Sequence, residues 1–398
     1  MSVTGLGRPQ SRAQRQGFVP ETLMGELSTE LFASMPRSDQ RRKGELYLRG
    51  LLTAEGRKSI RNIAACVGDR AAEQSLHHFI ASSTWAWSPV RAALARSVER
   101  ALRPAAWVVR PVVISKSGTE SVGVARRFIS DLGQMVNSQI ACGVWGVGED
   151  YSCPLNWRLA LGKGDEHPTA LAAYASEASL TTSLERAVSA VLELRGWVGE
   201  VNRPVLLDLP GVDPAAAVRQ FAGTGTRLVI PVRGSTRVRC VDPAVPGGGA
   251  CDVAAHQLLL QVRTLRRPVT WTDPDSLRTR TSLVAVVRVC LSQSSPPVLL
   301  LGEWDDPRGW PERCWVSDLT GTTPGALLRL SKLPKVVERD FEGISRQVGL
   351  TDFGGRSFEG WHRHTTLASA AHAVRTITLA ETEAFRRRPD RSAYGAHG

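Results

Sequence analysis

A change of hydrophobic pattern near residue 105 constrains the fold of this chain more than any other feature. Before it, apolar residues recur at helical spacing, as in ETLMGELSTELFASM and SPVRAALARSVERALR. After it come short apolar runs that are typical of strands: AWVVRPVVI (106–114), VNSQIACGVWGV (136–147) and CPLNWRLAL (153–161). The sequence therefore predicts an all-helical N-terminal region followed by a region that contains a β-sheet.

Helices and strands alternate in the next part of the chain. An amphipathic helix, SLERAVSAVLELRGW (183–197), precedes the buried strand PVLLDLP (204–210), and a helix at 214–222 precedes the strand TRLVIPVR (226–233). Three strands followed by this alternation predict an α/β fold, with a mixed sheet flanked by helices. Glycine and proline clusters with short β-rich runs then predict a β-rich insertion over 234–325, and the pattern becomes helical again over 326–387.

These patterns divide the chain into five predicted segments. We expect a flexible tail over 1–18, a helical, DNA-binding domain over 19–105, an α/β domain formed by 106–233 and 326–387, a β-rich insertion over 234–325, and a second flexible tail over 388–398. The DNA-binding role rests on charge. Lysine and arginine exceed the acidic residues by 12, which indicates a polyanionic partner, most often nucleic acid. A genome that favours arginine is the alternative explanation.

Basic side chains in the predicted helical region, and between the first and second predicted strands, are the candidate DNA contacts. They are Arg41, Arg42, Lys43, Arg57, Lys58, Arg61, Lys116, Arg126 and Arg127. The seven cysteines form no C-x-x-C pair, which argues against a disulfide framework and a zinc site and fits a reducing compartment. Neither a signal peptide nor an apolar run of membrane-spanning length occurs, so we expect a cytoplasmic, nucleoid-associated protein that does not enter a membrane.

Two acidic residues stand where catalytic groups can collect. Asp208 follows the buried run Val205 to Leu207, and strand ends of α/β sheets are common ligand sites. Glu338 lies in the predicted helix KVVERDFEGISRQVGL. A helix glutamate directed at a strand-end aspartate can share a divalent ion with it. Taken singly, Asp208 is as readily a turn or capping residue, and Glu338 a solvated helix acid.

Several long stretches resemble the insertion-sequence DDE transposases. They are SVGVARRFISDLGQMVNSQIACGVWGV, SCPLNWRLAL and GLTDFGGRSFEGWHRHTTLASAAHAV, in the same order as in that family. The branch concerned has a Y-R-E-K signature and an RNase H-like fold with a β-strand insertion. The resemblance implies that fold here, a double-stranded DNA partner, a homodimer acting on two DNA ends, and Mg²⁺ or Mn²⁺ as cofactor if activity is retained.

The family's first catalytic acid has no counterpart at the matching position. Its pattern, V-V-D-D-T-G-F-P-K-x-G, aligns with Lys116 and Gly118, and this puts the two aspartates at Arg110 and Pro111. The second and third acids align with Asp208 and Glu338. An alternative alignment takes Glu120 as a displaced first acid.

The rest of the signature is also replaced. Ser331, Pro334 and Ser345 stand where the family has its tyrosine, arginine and lysine. The resemblance therefore implies a transposase-derived DNA-binding protein that has lost catalysis and needs no cofactor. A functional transposase with a displaced acid, which would need Mg²⁺ or Mn²⁺, and a decayed relic without function are the two alternatives.

Overall fold

A computed structural model describes residues 20–68, 70–129, 133–161, 183–245, 251–293 and 295–386. The helices are α1 (Glu21–Phe32), α2 (Ser38–Thr53), α3 (Ile60–Val67), α4 (Arg70–Ala81), α5 (Trp87–Leu102), α6 (Ser183–Val198), α7 (Pro214–Phe221), α8 (Ala255–Gln261), α9 (Pro324–Asp340) and α10 (Phe358–Arg386). The strands are β1 (Ala106–Ser115), β2 (Ala125–Ile129), β3 (Gln134–Val147), β4 (Ser152–Leu159), β5 (Val205–Leu207), β6 (Leu228–Val232), β7 (Arg237–Cys240), β8 (Val253–Ala254), β9 (Arg267–Thr272), β10 (Thr279–Cys290), β11 (Val298–Trp304) and β12 (Arg313–Ser317). Both predicted tails lie outside the described residues.

Local sequence signals explain where several of these elements begin. Ser59 precedes α3, and its hydroxyl accepts a hydrogen bond from the backbone N–H of Asn62. Asp213 caps α7 in the same way, and Pro214 occupies the first helical position, where its missing N–H costs no hydrogen bond. Strands β5 and β11 consist entirely of buried residues, because both faces of the sheet are covered at their positions.

The strands form one mixed sheet of 12 strands, which confirms the predicted α/β class with an RNase H-like arrangement. Strand β1 pairs antiparallel with β3 and parallel with β5, and β5 pairs parallel with β6. The order along the sheet is β2-β3-β1-β5-β6-β12-β11-β10-β7-β8, with β4 on β3 and β9 on β10. Strands β1 and β5 are thus neighbours in the middle of the sheet.

The predicted insertion continues this sheet instead of standing apart from it. Strand β12 pairs with β6 over Ser317↔Val229 to Cys314↔Val232, so the strands of 234–325 extend the sheet beyond β6. The segment also contains helix α8, which the pattern of short β-rich runs did not predict. Strand β2 was likewise not predicted, because its sequence ARRFI has two arginines among five residues and shows no buried face.

The described chain forms two compact units. The helical unit comprises 20–102, 340–355 and 359–386, and the sheet unit comprises 103–339 and 356–358, less the gaps given above. This division differs from the predicted segments, because the helical stretch 326–387 is shared between the units: α9 belongs almost wholly to the sheet unit, and α10 to the helical unit. Within the described ranges, no helix is long and apolar enough to cross a membrane.

Candidate functional site

Arg110 and Asp208 lie side by side in the middle of the sheet. The last pair of the parallel β1–β5 ladder is Val109↔Leu207, and the backbone N–H of Asp208 donates to the carbonyl of Val109 at 2.8 Å. The residue after each member of that pair is therefore Arg110 on β1 and Asp208 beyond β5. The Arg110 Nε lies 3.8 Å from the Asp208 Oδ2. A cation thus faces the second acid from the position where the resemblance expects the first.

Pro111 takes no part in this pair. Successive side chains of a strand point to opposite faces, so Pro111 lies on the face opposite Arg110. The Val109 carbonyl points towards β5, and Pro111 would direct its N–H to the same side, where the pairing with β5 has already ended. A proline is tolerated here because it has no hydrogen bond to lose. Of the two aligned positions, Arg110 is the one beside Asp208.

Burial dominates the electrostatics of Asp208. Its side chain retains 36% of its exposure, and burial raises the pKa of its carboxyl group above the usual value. The Arg110 charge lowers this pKa, whereas the Glu338 charge raises it further. The ion pair with Arg110 does not reverse the effect of burial, and Glu338 lies near enough for its charge to act on Asp208.

Helix α9 carries Glu338 and two of the positions, Ser331 and Pro334, that the resemblance aligns with the Y-R-E-K signature. Glu338 is exposed, while the buried Ser331 hydroxyl donates to the carbonyl of Leu328 at 2.8 Å. Pro334 lies inside the helix, where it removes one backbone hydrogen bond. In the helical unit, the Ser345 hydroxyl is fully buried and lies 2.9 Å from His372 Nδ1. None of these replacement side chains offers a cation to a DNA phosphate.

Glu120, the alternative acid, has a different neighbour. Its Oε2 lies 3.9 Å from Arg356 Nη1, and both side chains are largely exposed. The charges that shift the pKa of Asp208 are those of Arg110 and Glu338, and Glu120 is not among them. The described geometry therefore brings Asp208 together with Glu338 and Arg110, and leaves Glu120 on the surface.

The side chains at this site do not fit a catalytic divalent ion. Magnesium prefers an oxygen-rich set of ligands, and DDE chemistry uses several carboxylates to hold its ions. Here the position where the resemblance expects the first carboxylate holds the Arg110 guanidinium, whose Nε lies 3.8 Å from Asp208 Oδ2. Throughout the described ranges, no group of three histidine, cysteine, aspartate or glutamate residues is placed to hold a metal.

The basic residues predicted to contact DNA differ in how accessible they are. In the helical unit, Arg42, Arg57 and Arg61 are exposed. Arg41 donates to the carbonyl of Met35 at 2.6 Å, which closes the turn before α2.

Two lysines of the same unit are engaged within the protein. The Nζ atom of Lys43 lies 3.3 Å from the Asp39 carboxylate. Lys58 is only 5% exposed, which its place among the predicted DNA contacts did not indicate. Its stem is packed inside the unit, and its ammonium donates to the carbonyl of Ala54.

In the sheet unit, the three predicted contacts lie at or near the outer strand β2. Arg126 is exposed on β2, whereas Arg127 is half-buried and donates to the carbonyl of Ser138 at 2.6 Å. Lys116 is half-buried, and its backbone N–H donates to the carbonyl of Asn137 at 2.8 Å. Arg126 is therefore the most accessible cation of the three.

Sequence reasoning missed a cavity of about 240 Å³ in the helical unit. Lys58, Phe353 and His364 are among the residues that line it. The quoted stretch GLTDFGGRSFEGWHRHTT contains two of these residues, but nothing in its pattern marks a cavity. The adjacent pair Arg57 and Lys58 was the available signal, although sequence alone could not show that one side chain is buried and the other exposed.

Comparison of the sequence with models of known protein families identifies the family of this chain. The model of the family described as DDE superfamily endonuclease matches residues 30–286, which is well over half of the chain. That match includes Arg110 and Asp208 and ends before Glu338. No curated protein gives a significant match. The predicted kinship is thus confirmed at the level of the superfamily, and the chain belongs to the DDE superfamily endonuclease family.

Proposed function

We propose that this protein is a transposase-derived DNA-binding protein that does not cleave DNA through a DDE site. One observation carries the proposal: Arg110 occupies the first-acid position and lies 3.8 Å from Asp208. Exchanging a carboxylate for a guanidinium changes the local charge by two units. A divalent cation would meet a fixed positive charge where it needs a ligand, so metal binding and the chemistry that depends on it are lost.

Double-stranded DNA is the partner that we propose. Family membership suggests a nucleic-acid substrate, and the net charge of +12 favours a polyanion. Arg42, Arg61 and Arg126 supply exposed guanidinium groups, which suit phosphate oxygens. Because such contacts release counterions, binding should weaken steeply as salt concentration rises.

A DNA-shift titration tests the binding half of this proposal. The protein should retard a duplex in the presence of EDTA, and affinity should fall as salt is raised. Arg61→Gln should weaken binding to all duplexes and reduce the salt slope by about one. Glu45→Gln removes an exposed acid of the same unit and is the matched control. Absence of any retardation at low salt would contradict the proposal.

A nicking assay with Mg²⁺ and Mn²⁺ tests the catalytic half. We expect that the natural chain does not cleave supercoiled plasmid in the presence of either metal. We expect the same for a duplex that carries any terminal inverted repeats flanking its gene. If Glu120 serves as a displaced acid, cleavage will occur and will be lost in Glu120→Gln. Cleavage that is lost in Asp208→Ala would show a working transposase and overturn this half of the proposal.

We also propose a homodimer, as expected for a protein that derives from an enzyme acting on two DNA ends. Light scattering of the chain alone and with a duplex measures this directly. A monomer in both states would contradict it without affecting either test above.

A further inference from the structure

A buried lysine beside the cavity of the helical unit has more hydrogen-bond donors than partners. The Lys58 ammonium donates to the carbonyl of Ala54, and no carboxylate of the described residues forms an ion pair with it. An ammonium group has three donors, so two remain available in a side chain that is 5% exposed. Burying a cation without a counter-charge is costly unless a ligand or water compensates it.

The charges around Lys58 do not neutralise it. Burial lowers the pKa of its ammonium, and the nearby Arg375 charge lowers it further. Cys66, Asp352 and Glu55 oppose this, but the Asp352 carboxylate accepts its hydrogen bond from the Lys58 backbone N–H, at 2.8 Å, and not from the ammonium. Arg57 adds a second cation to the cavity lining, and its side chain is exposed. The lining thus holds two cations, Lys58 and Arg57, against one carboxylate, that of Asp352, so its charge favours an anion.

Several other residues of the lining are apolar. Ile60, Ile80 and Phe353 contribute apolar side chains. On the polar side, the Tyr47 hydroxyl lies 2.8 Å from His364 Nδ1, and His364 Nε2 lies 2.8 Å from the carbonyl of Gly349. Both ring nitrogens of His364 are thus already engaged, which leaves Lys58 and Arg57 as the lysine and arginine of the lining that can meet a ligand's charge.

The size of the cavity limits what can enter. Its volume of about 240 Å³ lies just under the range of roughly 300–1,000 Å³ that holds drug-sized ligands. A double helix is excluded, whereas a single unit with a planar body and one phosphate matches both the size and the lining. Proteins that bind unpaired nucleotides combine a basic groove with aromatic side chains on which bases stack.

We infer that this cavity binds one unpaired nucleotide of a DNA strand, with its phosphate at Lys58 and Arg57 and its base against Phe353. The inference rests on the proposed DNA binding and adds a preference for DNA that carries a single-stranded extension. Phosphates of a paired duplex can reach Arg57 on the surface, but they cannot place a base in the cavity. The duplex would therefore be held by surface charge and the extension by the cavity.

Fluorescence anisotropy with the full chain tests the inference on two probes: a blunt duplex and the same duplex with a 3′ extension of thymidines. The natural chain should bind the extended probe about tenfold more tightly, the effect of one stacked base with its phosphate contact. Lys58→Met keeps the packed stem and should abolish this preference. Arg49→Met removes a cation of the same unit that does not line the cavity, and it should leave the preference unchanged.

The outcomes separate this inference from the proposed function. Equal affinity of the natural chain for both probes, or a preference that survives in Lys58→Met and in the exposed variant Arg57→Gln, overturns the nucleotide site while DNA binding stands. If the natural chain binds neither probe, the proposed function fails, and thymidine monophosphate then tests the cavity alone. A thermal shift with that nucleotide that is lost in Lys58→Met supports the site, and no shift overturns it.

Discussion

Two ion pairs of the sheet unit differ in burial and in the distance between their charged groups. Lys332 on α9 and Glu303 on β11 are both nearly inaccessible, and the Lys332 Nζ lies 2.5 Å from each oxygen of the Glu303 carboxylate. Arg110 and Asp208 retain 25% and 36% of their side-chain exposure and meet through one contact of 3.8 Å. The first pair is built into the fold, whereas the second is a loose contact between two neighbouring strands.

The surroundings of the two acids explain the difference. Glu303 also accepts a hydrogen bond from Ser282 at 2.8 Å, and Ser282 in turn accepts one from the indole N–H of Trp271 at 2.9 Å. Lys332 lies 4.3 Å from the centre of the Trp271 ring. Among the described residues, no side chain donates a hydrogen bond to the Asp208 carboxylate, and burial raises its pKa despite Arg110. The Asp208 carboxylate is thus held less firmly than the Glu303 carboxylate.

The largest effect is expected from breaking the tight pair. Lys332→Met should lower the free energy of unfolding by about 3 kcal/mol, at the lower end of the usual cost of removing one partner of a buried pair. The loss of stability should not be larger, because Arg313 still offers a positive charge to Glu303, with its Nη1 atom 3.7 Å from the carboxylate. Urea denaturation followed by circular dichroism measures the change.

The double variant Lys332→Met with Glu303→Gln is the control for this prediction. It leaves no uncompensated buried charge, so it should recover most of the loss. If Lys332→Met were as stable as the natural chain, the Lys332–Glu303 pair would contribute no more to the free energy of unfolding than a loose pair such as Arg110–Asp208.

A smaller effect, with a dependence on metal, is expected from Arg110→Asp. Three carboxylates then face one another, and their repulsion should lower stability by about 1–2 kcal/mol in EDTA. Millimolar Mn²⁺ should raise the melting temperature of this variant but not of the natural chain, because a ligand that binds only the folded state stabilises it. Differential scanning fluorimetry measures both changes.

Arg126→Asp makes the same change of charge on the exposed strand β2 and is the matched control. A response to Mn²⁺ of equal size in both variants would mean non-specific binding. A response in the natural chain itself would contradict the view that Arg110 keeps metal away from Asp208.

For the sheet unit, the sequence predicted most of the strands but not the order in which they pair. The apolar runs at 106–114 and 204–210 correspond to β1 and β5, because buried strands carry unbroken apolar residues. The order of strands could not be predicted, because β12 pairs with β6, about 85 residues earlier in the chain, and local sequence patterns do not indicate such distant partners. Only that order shows that the strands of 234–325 belong to the same sheet.

At the candidate site, too, the sequence could not predict which residues lie next to one another. Counting along a family pattern could not choose between Arg110 and Pro111, whereas strand alternation together with the β1–β5 register puts Arg110 beside Asp208. Sequence also grouped Lys58 with exposed basic residues, because charge in a helical stretch says nothing about burial. The contacts that distinguish these residues are made across long distances in the chain.

The smallest effect is expected from Asp208→Asn, and it depends on pH. Because burial raises the pKa of Asp208 in the folded state, the folded protein holds this proton more tightly than the unfolded chain does. The natural chain should therefore lose stability relative to Asp208→Asn as pH rises from about 4 through the raised pKa. The difference at neutral pH should stay below about 1 kcal/mol, since the side chain is partly exposed and solvent screens its charge. Urea denaturation of both proteins across this range measures it. An advantage of the natural chain that grows with pH would mean that Arg110 holds Asp208 as firmly as Lys332 holds Glu303, and the contrast between the two pairs would be lost.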